Sequence, residues 1–406
     1  MNRSRQHERL LATVFLRPFL KKEVIDLISN KEKTLTKPIQ TKNGGIKNLS
    51  LIDYGFIPEY YQYDKNVTYA RVTAVHKESY NLITEYGECI GKLKSSVYFN
   101  NYTQAFPTTG DFVEIQYNDS GTSVIMKTLK RISKFSRNDY SGHAAEYVKT
   151  IKEQTVAANF DYVFIMQSLN HDLNLKRLER YLAQSWQSGA TPVVILTKAD
   201  LVEDYSDYLD SVNQIANGVK VHVISAHTGH GLDTLEKYLK KSVTIVFLGS
   251  SGVGKSSLVN ALNGEEVMTV KDIREVDSKG RHTTTHRQLI RLDSGVMIID
   301  TPGMRELGIW DVANGISESF ADVEKYMGQC KYKDCKHVKE PGCAIRNAIE
   351  DGNLSFERYE SYLKLQKEAA FVHNKSTYMR NKNHQNVTKK LYDRKMKKVG
   401  GHHEDN

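Results

Sequence analysis

The stretch 243–257 reads V-T-I-V-F-L-G-S-S-G-V-G-K-S-S, and it constrains the rest of the chain more than any other. The apolar, β-branched run 243–248 predicts a buried strand. Three glycines follow, and Lys255, Ser256 and Ser257 open a helix. This is G-x-x-x-x-G-K-[ST] in the strand–loop–helix context that the pattern requires. Gly249, Gly252 and Gly254 let the backbone turn so that N–H groups along Ser250, Ser251 and Val253 point inward at phosphate oxygens. The helix that follows, with Ser257 in its first turn, adds partial positive charge at its N-terminus. Lys255 is expected to reach the β- and γ-phosphates, and Ser256 to hold Mg²⁺. A loop of this kind sits at the carboxyl end of a strand in a parallel α/β sheet, so its flanks should alternate strand and helix.

They do. Segments 161–166, 192–196 and 219–224 read as buried strands, while 175–187, 206–215 and 232–239 have helical spacing. The helix after the loop continues through 258–262, and 288–292 and 296–299 read as two further strands. Upstream the period changes to two. Segments 67–75, 80–84, 89–93, 111–117 and 123–126 are short strands separated by turn residues, which predicts a small closed β-barrel. Periodicity leaves an OB barrel and an SH3-like one equally open. Such barrels bind nucleic acid through aromatic and basic side chains, and Tyr80, Tyr86, Lys92, Lys94 and Tyr98 are available for that. Residues 130–152 read as a basic connector. After the sheet, 354–371 has helical spacing. The layout expected is a basic extension over 1–47, a barrel over 48–130, a linker over 131–158, an α/β domain over 159–312, a metal-binding helical domain over 313–371 and a basic tail over 372–406.

Asp300 ends a buried strand and begins D-T-P-G, where a carboxylate can join a Mg²⁺ shell and the amide of Gly303 can sense a γ-phosphate. Between it and the phosphate loop lies G-R-H-T-T-T (280–285), a polar run expected to be a mobile loop. Hydroxyls there, that of Thr284 among them, can complete the Mg²⁺ shell when a γ-phosphate is present. T-K-A-D (197–200) resembles the guanine-recognition element of GTPases, and Ser225-Ala226-His227 resembles their second base-recognition element. The resemblance implies that Asp200 accepts from guanine N1 and N2, that the Lys198 stem packs on the base, and that the Ala226 amide donates to O6. A carboxylate suits the two donors of guanine and repels the N1 acceptor of adenine. Thr197 stands where many GTPases carry Asn, so a weaker brace to the phosphate loop is expected.

The order is unusual: both base-recognition elements precede the phosphate loop, whereas in ordinary GTPases they come last. This is a circular permutation of the same sheet. The chain resembles the circularly permuted GTPases that depend on the small ribosomal subunit, the RsgA (YjeQ) family. G-R-H-T-T-T, D-T-P-G-M and Cys330-x(4)-Cys335-x-His337-x(5)-Cys343 are typical of that family. The resemblance spans about 66 to 370. It implies GTP hydrolysis stimulated by the small (30S) subunit, and a role in late maturation of that subunit near its decoding site. Met304 lies where Ras-type enzymes place a water-orienting Gln; a thioether cannot orient water, so His282 is the candidate catalytic group, and the resemblance supports it.

The Cys330, Cys335, His337 and Cys343 set stands on its own as a zinc site, because three thiolates and an imidazole make a closed tetrahedral shell suited to structure. The chain has four cysteines, and three of them fall in this cluster, which suits a metal in a reducing compartment better than disulfides. Cys89 is expected to pack. The lysines around the cluster, Lys331, Lys333, Lys336 and Lys339, make a basic knuckle that could touch RNA.

The 406 residues carry a formal charge of +9, and the tail 372–406, with nine basic and three acidic residues, supplies +6 of it. Such a tail is drawn to phosphate backbones. No apolar run approaches the ~20 residues of a membrane span, and the Arg17-Pro18 break and the lack of a small-residue cleavage site argue against a secretory signal. A cytoplasmic monomer, using one structural Zn²⁺ and Mg²⁺ with GTP, is expected. Two rivals remain: an RNA-binding module in which GTP is only a conformational ligand, and a phosphate-loop kinase, for which no acceptor-site signature is present.

Overall fold

The computed structural model describes residues 50–98, 105–139, 152–170, 173–268, 287–300 and 313–371. The extension 1–47, the tail 372–406, and His282, Thr284, Gly303 and Met304 lie outside the described residues. The chain forms two compact units: one of Met1–Ile132, Leu239–Thr244 and Thr283–Asp300, the other of Ser133–Tyr238, Ile245–His282 and Thr301–Asn406.

In the first unit, β1 (Thr68–Val75), β2 (Tyr80–Thr84), β3 (Gly87–Leu93), β4 (Phe112–Gln116) and β5 (Ser123–Thr128) close into a barrel. β1 pairs antiparallel with both β2 and β4, β2 with β3, and β4 with β5, while β3 and β5 run parallel. A five-stranded barrel closed in the order β1-β2-β3-β5-β4 is of the OB type, which resolves the choice that periodicity left open. A bulge between Val72 and Ala74 curves β1 so that one strand serves two neighbours. Ala70, Val72, Leu82, Val113, Ile115 and Ile125 fill the interior. A Cβ at Gly91 would lie 2.6 Å from Leu82 Cδ1 and 3.2 Å from Ile125 Cγ1, so any larger residue there would have to displace core side chains.

Two of the five proposed nucleic-acid residues belong to this core rather than to the surface. Tyr80 and Tyr98 are 8% and 3% exposed, and the Tyr98 hydroxyl lies 2.9 Å from Thr128 Oγ1. Period-two alternation leaves open which face of the Tyr80 strand is inside, and Tyr98 ends a short helix, Ser95–Tyr98, that no period-two segment covers; both rings supply the volume that this small barrel needs. Tyr86, Lys92 and Lys94 are exposed, as expected. Cys89 is half-buried against the same core, as expected of a packing thiol.

A fully buried guanidinium also ties this unit together. Arg71 donates to the Gly110 carbonyl at 3.3 Å, to Thr244 Oγ1 at 3.0 Å and to the Tyr54 carbonyl, with its cation 5.0 Å from the Phe112 ring centre. At the barrel rim, Asp111 accepts a two-pronged bond from Arg131 (2.8 and 2.7 Å) and another from the Thr108 amide at 2.7 Å.

The second unit begins with β6 (Lys134–Asp139) and β7 (Lys152–Ala158), an antiparallel pair in the stretch read as a basic connector. Within these polar strands Phe135, Val156, Ala157 and Ala158 are buried, and Phe135 stacks on Phe160 at 4.9 Å. A lone buried ring and a consecutive buried run give no period-two signal.

Next come β8 (Tyr162–Ser168), β9 (Thr191–Thr197), β10 (Lys220–Val223) and β11 (Thr244–Leu248). They are parallel, in the order β10-β9-β8-β11. β8, β9 and β11 are apolar and buried almost throughout, as strands covered on both faces must be. Helices Leu175–Ser188, Ser206–Ile215 and Lys255–Asn263 match the predicted ones to within a residue or two. Asn174 caps the first by accepting from the Arg177 amide at 2.9 Å, and Gly189 ends it in the left-handed region.

The C-terminal part packs helices Ala313–Ser319, Ala321–Glu324 and Ala344–Glu350 and a helix over 356–371 around Phe320, Val323, Ile345, Leu354, Tyr362 and Leu365. A buried ion-pair cluster fixes it to helix Leu175–Ser188. Arg358 bonds Glu179 at 2.8 Å and Asp322 at 3.0 and 3.1 Å, and its cation lies 3.9 Å from the Phe320 ring centre. Gly315 sits so close to that helix that a Cβ would fall 1.9 Å from the Ala183 carbonyl.

Back in the first unit, β12 (Gln288–Arg291) and β13 (Met297–Asp300) form an antiparallel hairpin, and β12 joins β1 through Ala74 opposite Gln288. These are the two strands expected after the phosphate loop, but the tight turn at Ser294-Gly295 reverses the chain instead of crossing it over.

Candidate nucleotide site and metal centre

β11 delivers the phosphate loop. Its five residues are all buried, and the chain leaves it at Gly249, where a Cβ would meet the Met166 carbonyl of β8 at 2.9 Å. Gly252 and Gly254 adopt φ of +74° and +99°, a region that L side chains avoid. Val253 is buried and anchors the turn, while Ser251 and Gly252 are exposed. Helix Lys255–Asn263 starts directly from Gly254, with Ser256 and Ser257 half-buried in its first turn. Lys255 curls back over the loop, its Nζ donating to the carbonyls of Gly249 and Ser250 at 3.1 Å each. The ammonium is thereby held at the mouth of a ring of amides, where phosphate oxygens would be its partners.

The two base-recognition elements lie at the carboxyl ends of β9 and β10. Thr197 is the last residue of β9 and is buried, and its hydroxyl lies 2.7 Å from the Val253 carbonyl in the phosphate loop. The brace expected to be weak is therefore made, by a hydroxyl in place of an amide. Lys198 takes a left-handed conformation (φ +62°) that turns the chain out of the sheet. Asp200 follows, exposed, and its Oδ1 accepts from the Ser225 hydroxyl at 2.5 Å. Ser225 is fully buried, and its oxygen also accepts from the amides of His227 and Thr228 at 3.2 and 3.1 Å. One serine therefore fixes the aim of the Asp200 carboxylate and shapes the turn that carries Ala226. Thr197 to Asp200, Ser225, Ala226 and the loop 249–257 form one constellation within a single unit. Asp300 ends β13, half-buried and opposite Gln288.

Sequence reasoning passed over the support behind this site. His222 on β10 is 8% exposed. The Thr234 hydroxyl donates to the Gly231 carbonyl at 2.6 Å, so its oxygen accepts from His222 Nδ1–H at 2.8 Å, which leaves Nε2 to accept from the Tyr238 hydroxyl at 3.1 Å. Burial, and then the nearby Lys237 and Lys220, pull the imidazole below its ordinary value, so it is neutral in the fold. This arrangement pins the chain that follows the second base-recognition element.

The metal centre is compact. Cys330, Cys335, His337 and Cys343 present ligand atoms all within 4.8 Å of one another. His337 Nδ1 lies 3.4, 3.6 and 3.3 Å from the sulfurs of Cys330, Cys335 and Cys343, and Cys330 and Cys343 are 3.9 Å apart. A tetrahedral zinc with its usual bond lengths puts sulfur–sulfur edges at about 3.8 Å and sulfur–nitrogen edges at about 3.6 Å. The residues fit one zinc. Glu340, exposed between the ligands, accepts from the amides of Lys336, Val338 and Lys339 at 3.1, 2.9 and 3.0 Å. These amides and its own hold its carboxyl well down, at about 2. His337 sits in the left-handed region (φ +60°), so this turn presents its imidazole at a backbone cost.

Residues 129–310 match the model of the RsgA GTPase family. The "small ribosomal subunit biogenesis GTPase RsgA 1" of Listeria monocytogenes is 47% identical over 75% of this chain and 84% of its own length. The chain belongs to the RsgA GTPase family. A second RsgA of Listeria monocytogenes is 45% identical over 80% of this chain and 90% of its own. Among solved structures, YjeQ from Thermotoga maritima matches with a TM-score of 0.57 at 27% identity, over 75% of this chain and 99% of that one. YloQ, described as a circularly permuted GTPase, shares the fold with a TM-score of 0.53 at 24% identity. Membership of that family fits the order of elements here, with β9 and β10, which end in T-K-A-D and lead to S-A-H, ahead of the phosphate-loop strand β11. The protein is a GTP-hydrolysing, circularly permuted GTPase of that family. Among the described residues, no helix is long and apolar enough to cross a membrane.

Proposed function

We propose that this GTPase acts in late maturation of the small (30S) ribosomal subunit, binding in its GTP state and leaving after hydrolysis, with the subunit stimulating turnover. The observation that carries the reading is the constellation in which Thr197 braces the phosphate loop while Ser225 aims Asp200, a guanine nucleotide site laid out in permuted order. The names of the relatives supply the subunit. In this reading Lys255 and the amides of 249–257 hold the phosphates, Asp200 and Ala226 read the base, and the Lys198 stem covers it. Ser256, Thr284 and Asp300 would offer the hard oxygens that Mg²⁺ prefers, and the ion would supply positive charge to offset that of the phosphates. The Gly303 amide senses the γ-phosphate, and His282 orients the attacking water. Lys92, Lys94, the lysines of the zinc knuckle and the tail supply contacts to rRNA.

The test is cosedimentation of the protein with purified small subunits in the presence of GDP or of a non-hydrolysable GTP analogue. Retention that depends on the analogue supports a switch. Equal retention in both states would replace it with an RNA-binding module in which GTP is incidental.

A further inference from the structure

The register of the barrel brings three chain segments to one end. Thr68, at the start of β1, lies opposite Ile115 near the end of β4; Thr84 lies opposite Gly87 across the β2–β3 turn; and Gly91 of β3 runs beside Ser123 at the start of β5. Tyr63, Tyr86 and Tyr117 therefore crowd the same end. Tyr86 and Tyr63 are 47% and 43% exposed, and the rings of Tyr86 and Tyr117 lie 4.8 Å apart. Carboxylates surround these rings. After partial burial, Glu85 is the next influence raising the hydroxyl pKa of both Tyr63 and Tyr86, and Asp64 and Asp119 act in the same sense on Tyr63 and Tyr117. The opposite end of the barrel, beyond β1 and β3, carries Lys77, Glu78 and Lys94, whereas the tyrosine end sets Asp64, Glu85 and Asp119 against Lys65. The barrel is polarised within a chain whose net charge is +9.

We propose that the end of the barrel bearing Tyr63, Tyr86 and Tyr117 docks a Lys/Arg-rich polypeptide segment of a partner protein. Exposed aromatic faces ringed by carboxylates are what a guanidinium or ammonium seeks: the ring quadrupole and the acids attract the same cation. A nucleic-acid backbone brought to this end would set phosphates against Glu85, Asp64 and Asp119. Tyr86, first read as a nucleic-acid contact, therefore faces a different class of partner from Lys94. The overall positive charge of the chain repels a basic peptide, so attraction must come from a local surface.

The test measures fluorescence anisotropy of a labelled nine-residue peptide of alternating Arg and Gly with the full chain, beside an acidic peptide and an oligouridylate of matched length. The account expects the basic peptide to bind in a salt-sensitive way. Tyr86→Ala should weaken it about two- to fivefold, the size of an exposed cation–π contact. Glu85→Gln combined with Asp119→Asn should flatten the salt dependence. GTP hydrolysis and thermal stability should be unchanged in both variants. Peptide affinity unchanged in both variants would overturn the proposal. So would loss of oligouridylate binding, rather than peptide binding, in Tyr86→Ala.

Discussion

Replacing Thr197 by Val keeps the shape of the side chain and removes one hydrogen-bond donor. Thr197 is buried at the end of β9, and its hydroxyl reaches the Val253 carbonyl at 2.7 Å. Valine leaves the Val253 carbonyl without this partner. A buried acceptor that loses its donor costs about 1–3 kcal/mol. In the free protein the loop can relax and turn the carbonyl outward, so most of the cost falls on the state in which the loop must close around phosphate. The expected outcome is a rise of about five- to a hundredfold in the Kd for GTP. GDP should be affected by the same factor, because the brace acts on the loop and not on the γ-phosphate. The melting temperature should fall by only a few degrees. Titration of purified protein with a fluorescent guanine nucleotide, beside a thermal melt, measures both. Unchanged affinity for both nucleotides would refute the brace. A large loss for GTP with none for GDP would place Thr197 in γ-phosphate sensing instead.

Asp200→Asn should shift preference from guanine toward xanthine nucleotides, read as competition between GTP and XTP; the Ser225 hydroxyl can still donate to the new amide oxygen, so the fold should hold. Arg358→Met strands the buried Glu179 carboxylate and removes a partner of the half-buried Asp322, and should cost about 3–5 kcal/mol, whereas Arg358→Met with Glu179→Leu should recover part of it; calorimetry that finds the two losses simply additive would sink the pairing. His222 is neutral in the fold while the unfolded chain takes up a proton near its ordinary value of about 6.5. Stability should therefore be full above that pH and decline as pH falls through the window below it, and denaturant melts of His222→Gln should lose this component. Chelation of zinc, or Cys343→Ser, should loosen the C-terminal helices while leaving guanine-nucleotide binding intact, which circular dichroism and nucleotide titration separate.

The glycine loop 249–257, the T-K-A-D and S-A-H segments and the Cys/His cluster stood out because each sets particular residue types at a fixed spacing. The structure brings Thr197 to the loop, Asp200 to Ser225 and the three thiols to His337. The parallel strands were legible because burial on both faces leaves an unbroken apolar run. Other features left no such trace. β6 and β7 bury Phe135 and the run Val156, Ala157 and Ala158 among polar residues, so no period emerges. Tyr80 alternates correctly for either face, Tyr98 lies in a one-turn helix outside the alternating strands, and only closure of the barrel decides that both are buried. Arg358, Glu179 and Asp322 meet from distant parts of the chain, and each alone reads as an ordinary surface charge. His222 is likewise silent in sequence, since its burial and its bonds to Thr234 and Tyr238 depend on the segment after β10 arriving beside it.

The central claim is most directly tested by the initial rate of GTP hydrolysis by purified protein, with and without small ribosomal subunits, at two salt concentrations. The account predicts strong stimulation by the subunit that fades as salt rises, because contacts to phosphate are lost to competing counterions. It predicts also that His282→Ala retains GTP affinity while losing the stimulated rate. A slow rate indifferent to subunits at both salt concentrations would contradict the account.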